Sequence, residues 1–119
     1  MMKKKILIIE DDKDTLEILG YLAEELNIDF DLRSGVISLS EIKEIDPKLI
    51  MLDHWVKNGN GGELCSRIKQ DAELAGVPVV IVSAHNRLPD IAKDNGADGY
   101  LAKPFEIDAI QGLIRRYTG

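Results

Sequence analysis

Three apolar runs, Ile6 to Ile9, Leu49 to Leu52 and Val77 to Val82, stand out along the chain, each too short for a helix. Runs of this length without polar alternation predict strands buried on both faces, as in a sheet covered by helices on each side. Ile28 to Leu32 alternates apolar with acidic residues instead, the period of a half-exposed edge strand. Gly99 to Ala102 is a short fifth strand, closed by Lys103-Pro104. Pro78 lies near the start of its strand, where a missing N–H costs least.

Between these runs the apolar residues recur at three- and four-residue spacing. A first helix is predicted over Lys13 to Leu26, with Leu16, Leu19, Ala23 and Leu26 on one face, Asp11 or Asp12 as N-cap, and Asn27 as its stop. A second covers Val36 to Ile45, with Ile37, Ile42 and Ile45 inward and Asp46-Pro47 ending it. A glycine-rich turn, Asn58 to Gly62, leads into a third helix near Gly62 to Gln70. The fourth begins around Pro89 and ends at Asn95-Gly96, a left-handed stop. The last spans Glu106 to Tyr117, with Ile107, Ile110, Leu113 and Ile114 as its apolar stripe and Arg115-Arg116 favouring its C-terminus. Five strands alternating with five helices predict an α/β fold, a doubly wound parallel sheet with right-handed crossovers. Placing the alternating second strand at an edge favours the strand order 2-1-3-4-5, with strands 1 and 3 adjacent at the switch point.

Composition narrows the possibilities. The 119 residues hold no repeat and no linker, so residues 1–119 are read as one domain with no effector domain after the last helix. A formal charge of -6 argues against direct nucleic-acid binding, and Lys3-Lys4-Lys5, the one basic run, reads as a solvated flank of the first strand. Cys65 is alone, which excludes an intramolecular disulfide, suits a reducing cytoplasm, and reads as a small core residue. No apolar stretch approaches the ~18 residues that span a bilayer, and the first apolar run is too short for a signal peptide. A cytoplasmic protein without membrane insertion is expected.

In such a sheet the ligand crevice lies outside the carboxyl ends of the strands. Glu10-Asp11-Asp12 follow strand 1, Asp53 ends strand 3, Ser83 ends strand 4, and Lys103 follows strand 5 within reach. Carboxylates crowded there repel one another unless a cation joins them, and short acidic side chains with room for water suit Mg²⁺. Asp53 is then placed to attack a phosphoryl group and form an acyl phosphate, with the Ser83 hydroxyl and Lys103 ammonium as donors to the transferred oxygens. Gly59, Gly61 and Gly62 lack the Lys-Ser/Thr of a phosphate-cradling loop and read as a turn. His54 and His85 read as surface or loop histidines.

Together these stretches resemble the receiver domain of two-component response regulators over the whole chain. The carrying residues are Ile6 to Asp12, Leu49 to Asp53, Gly61, Val80 to Ala84 and Gly96 to Phe105. The resemblance implies a flavodoxin- or CheY-like fold and a phosphoacceptor switch. Asp53 would receive the phosphoryl group, and Glu10 and Asp11 would hold Mg²⁺, Asp11 most directly, with the Trp55 backbone carbonyl as a further ligand. Ser83 would be the switch hydroxyl, Tyr100 the switch aromatic, and Lys103 the phosphoryl-binding lysine, joined to Pro104 by a cis peptide. It also implies a sensor histidine kinase or histidine phosphotransfer protein as partner, and a downstream protein target met by helix 4, strand 5 and helix 5. A phosphorylation-dependent dimer fits the same pattern. Catalysis beyond self-phosphorylation and self-dephosphorylation at Asp53 is not expected.

The chain departs from the family pattern at Lys57, where a proline is usual, and in His54-Trp55-Val56, where Trp55 is placed to shield the acyl phosphate. The segment from Ser83 to Lys103 is short, predicting a stunted fourth helix. Met1 suggests a stand-alone regulator. A receiver-like interaction module that is never phosphorylated is the main alternative, and the intact set Asp11, Asp53, Ser83 and Lys103 speaks against it. A Mg²⁺-dependent phosphatase would need a second acid where Trp55 stands, and Glu10-Asp11-Asp12 would repel a flavin's phosphate.

Overall fold

A strand whose every side chain is apolar needs cover on both faces, and successive residues of one strand feed two separate cores. The computed structural model describes residues 5–118, the side chain of Ala23 excepted; the readings of Lys3, Lys4 and Ala23 fall outside it. In chain order the elements are β1 (Lys5–Ile9), α1 (Lys13–Glu25), β2 (Asp29–Arg33), α2 (Leu39–Ile45), β3 (Leu49–Asp53), β4 (Trp55–Val56), β5 (Gly59–Asn60), α3 (Gly61–Gln70), β6 (Val79–Ser83), α4 (Leu88–Asp94), β7 (Gly99–Ala102) and α5 (Ile107–Thr118). The main sheet has the order β2-β1-β3-β6-β7 with every pair parallel, the expected 2-1-3-4-5 once its five strands are counted alone. On one face Leu7, Ile9, Ile50, Leu52, Val79 and Ile81 meet Ile42, Leu64, Cys65, Ile68 and Leu88 of α2, α3 and α4. On the other, Ile6, Ile8, Leu49, Met51, Val80 and Val82 meet Leu19, Leu22, Ile110 and Ile114 of α1 and α5. Each fully buried Leu or Ile contributes about 1.5–3 kcal/mol, so these two layers hold the sheet.

The helix ends show their causes. Asp12 caps α1, its Oδ2 accepting the Thr15 N–H at 3.2 Å, and Asn27 follows the helix with φ 57°. α2 starts at Leu39, three residues later than expected, because Ser38 Oγ accepts the Glu41 N–H at 3.1 Å and takes the N-cap. Val36 and Ile37 still pack against the core from the preceding loop. β6 begins only after Pro78. α4 is seven residues long, as stunted as expected, with Pro89 in its first turn and Gly96 beyond its end at φ 74°.

Two elements differ from expectation. Ile107 does not join the buried stripe of α5: it is 56% exposed, because it opens the helix and lines a surface groove with Ile18 and Tyr21 of α1. The glycine-rich turn after Asp53 is a small antiparallel hairpin, β4 with β5, pairing Trp55 with Asn60 and Val56 with Gly59.

Cys65 is fully buried, and desolvation pushes its thiol up to about 11. A maleimide at pH 8 should therefore label it only in denaturant; prompt labelling of the native protein would contradict this packing.

Candidate functional site

β1 and β3 are neighbours in register, Ile9 opposite Leu52, so the residues that follow each strand emerge side by side. One carboxylate oxygen from each of Glu10, Asp11 and Asp53 lies within 4.8 Å of the others. Glu10 is only 2% exposed, a position an acid occupies when its oxygens are satisfied. Here Lys103 Nζ donates to Glu10 Oε2 at 2.9 Å and to Oε1 at 3.1 Å, and Oε1 also accepts the Asp12 N–H at 3.2 Å. The same ammonium stands 3.8 Å from Asp53 Oδ2.

Lys103 reaches inward from the end of β7, where its backbone N–H donates to Ser83 O at 2.9 Å and a cis peptide joins it to Pro104, as expected. Asp53 pairs with Val82, which leaves the buried Ser83 one position beyond it at the same sheet edge. Ser83 Oγ accepts the His85 N–H at 3.0 Å. The structure thus brings Glu10, Asp11, Asp53, Ser83 and Lys103 to one edge. Tyr100 lies apart from them, about half exposed, lining an open groove between β7 and α5.

One lysine does not neutralise three acids. Burial pushes the Glu10 carboxyl up to about 7; the Lys103 hydrogen bond opposes this, and the neighbouring Asp53 carboxylate adds to it. A carboxyl held near neutrality marks a site short of positive charge. The donors are all hard oxygens, which fits a small divalent cation such as Mg²⁺.

His54 corrects the surface reading. It is 8% exposed, because its backbone continues the β3 ladder: its N–H donates to Val82 O at 3.1 Å and its carbonyl accepts the Gly61 N–H at 2.8 Å. Its ring meets Trp55 at 4.7 Å between centroids and His85 at 6.0 Å, and its buried Nδ1 has no hydrogen-bond partner among the described residues. Desolvation, then the proximity of His85, lowers its pKa. Trp55 is 60% exposed, and the described ring contact of its indole is with His54. His85 is exposed as expected, its Nδ1 accepting the Arg87 N–H at 3.0 Å.

Sequence reasoning named Gly61 but not what it does. A Cβ on Gly61 would collide with the carbonyl oxygen of Asp53 and stand 3.4 Å from His54 Cα, so α3 starts against the backbone of Asp53 only because this residue is glycine. The paired Asn-Gly steps at 58–61 were the available hairpin signal.

Gly61→Ala should lose about 1–3 kcal/mol in chemical denaturation, since backbone is what must move; a variant as stable as the parent would refute the close approach. Mg²⁺ binding should release the Glu10 proton. Its affinity, measured calorimetrically, should then weaken by about tenfold from pH 8 to pH 6, and Glu10→Gln should flatten that slope. Equal affinities at the two pH values would exclude the linkage. By the same sign the metal-free fold, which holds this proton more tightly than the unfolded chain, loses stability as pH rises through about 7.

Residues 6–115 match the family profile described as the response regulator receiver domain. Response regulator ArlR of Staphylococcus saprophyticus is 33% identical over 114 residues, 93% of this chain and 50% of that protein. The chain spans about half the length of the curated relatives it matches. Among solved structures, chemotaxis protein CheY4 of Vibrio cholerae superposes with a TM-score of 0.86 at 15% identity, covering 98% of this chain and 99% of that one. The receiver domain of sensor histidine kinase PA1611 of Pseudomonas aeruginosa, solved with a magnesium ion coordinated in its active-site cleft, gives 0.81 at 20% identity, with 98% of each chain covered. These two likenesses are of fold. No helix among the described residues is long and apolar enough to cross a membrane.

Proposed function

Because the chain belongs to the response regulator receiver domain family, we propose that it is a phosphoacceptor switch in which Asp53 takes a phosphoryl group from a phosphohistidine donor. The observation that carries this reading is the Lys103 ammonium lodged between Glu10 and Asp53 beside a three-carboxylate cluster. That is a phosphoryl-binding cation next to a nucleophile and a metal-ready donor set. Glu10, Asp11 and Asp53, with the Trp55 backbone carbonyl, would hold Mg²⁺, which supplies charge neutralisation for the incoming phosphoryl oxygens.

In the step itself an Asp53 carboxylate oxygen attacks phosphorus, the P–N bond to the donor imidazole breaks, and a mixed carboxylic–phosphoric anhydride forms. Lys103 moves its hydrogen bonds from Glu10 toward the new phosphoryl oxygens. The Ser83 hydroxyl, now an acceptor for the His85 N–H, turns to donate to a phosphoryl oxygen, and the segment after β6 follows it. Tyr100, exposed on β7, is the aromatic expected to respond, so the output would be read on the face of α4, β7 and α5. The donor would be a sensor histidine kinase or a histidine phosphotransfer protein, and the reader a downstream protein. Water attack on the anhydride returns the domain to its resting state, so turnover is confined to its own Asp53.

Intact mass after incubation with acetyl phosphate tests this directly. The expected result is a gain of one phosphoryl group that requires Mg²⁺ and is absent in Asp53→Asn. A folded protein that binds Mg²⁺ yet gains no mass, from acetyl phosphate or a phosphohistidine donor, would favour a module that acts by binding alone.

A further inference from the structure

Besides the Asn60 side chain, whose Oδ1 accepts the Glu63 N–H at 3.2 Å and caps α3, the hairpin that follows Asp53 is tied to the body of the domain at two points. Val56 is buried in the core beside α2 and α3, whereas Trp55, Lys57 and Asn58 face solvent. The second point is the Asn58 side chain. Its Oδ1 accepts the Val36 N–H at 2.7 Å and its Nδ2 donates to the Val36 carbonyl at 3.3 Å, so one amide satisfies both backbone groups of a residue 22 positions away. The fit around this amide is close. A Cβ on Gly35 would collide with Asn58 Oδ1, and one on Gly59 would stand 2.8 Å from Val36 Cγ2. An exposed asparagine followed by a glycine would ordinarily be a turn residue bonding its own neighbours. This one reaches across to another loop.

We infer that Asn58 is a positioning residue for the phosphoacceptor loop: its bidentate bond to the Val36 backbone holds the β4–β5 hairpin, and with it the Trp55 carbonyl, in register with the Glu10–Asp11–Asp53 cluster. This rests on the functional reading above and adds to it the group that aims the fourth ligand. Lys57 occupies the position where a proline would stiffen the loop covalently, and a lateral pair of hydrogen bonds supplies the constraint in its place. Without the pair, the hairpin would pivot on Val56 and the carbonyl would spread over several orientations, which a site built on fixed donor geometry registers as lost affinity.

Three variants separate aiming from folding. Asn58→Ala removes the amide. Gly35→Ala leaves the hairpin sequence intact but displaces the amide, which lies at the far end of a side chain rather than in the backbone, from its seat. Lys57→Ala is the exposed control. Both Asn58→Ala and Gly35→Ala should weaken Mg²⁺ binding by about tenfold in calorimetry and speed amide hydrogen exchange across residues 54–61, with a thermal midpoint close to the parent's, since no core group is touched. Lys57→Ala should bind as the parent does. Parent-like Mg²⁺ affinity in either folded loop variant would overturn the inference while leaving the phosphoacceptor reading intact. A parent protein that fails to bind Mg²⁺ at all would remove that reading, and this inference with it.

Discussion

A single ammonium among three carboxylates is the constraint on which the site depends. Lys103 arrives from the last strand, Glu10 from the first and Asp53 from the middle one, so the bridge exists only when the parallel sheet is complete. The three acids oppose this closure through mutual repulsion, and Glu10 is also nearly removed from water. The apolar layers on either side of the sheet supply the stabilisation that lets the cluster persist. The strain of unbalanced charge is thereby stored at the one edge where a divalent cation and a phosphoryl group would act on it.

Much of this was legible in the chain. Ile6 to Ile9 and Leu49 to Leu52 announce themselves as doubly buried strands, and acids placed directly after them have to meet at the switch point of a 2-1-3-4-5 sheet. The cap at Asp12 and the stop at Asn27 follow from local hydrogen bonding, which depends on few residues and therefore reads well from sequence. Lys103 was harder to place, since its reach matters only after five strands are ordered; the long side chain and the strand ending before it were enough.

The misreadings share a cause. Ile107 has the right spacing for the stripe of α5, but spacing says nothing about whether another element covers that turn, and among the described residues none closes over it. His54 looks like a loop residue because it follows Asp53 at the end of a strand, yet its backbone stays in the β3 ladder, and burial is decided by that ladder. The β4–β5 hairpin escaped because two-residue strands are shorter than any hydrophobic period. What stabilises it, an Asn58 amide on Val36 and a Gly61 backbone against Asp53, is tertiary and leaves only a row of Asn and Gly in the text.

The position of Trp55 gives the molecule an optical property of its own. It is the single tryptophan of the chain, it stands two residues past Asp53, and its indole rests against a histidine whose pKa burial lowers. All the indole emission of this chain therefore originates at the loop that follows Asp53, with no second fluorophore of that kind to dilute it. Any event that moves the hairpin, changes the charge beside it or alters its wetting is written into the emission of the native chain, and the domain is a sensor of its own state without a label.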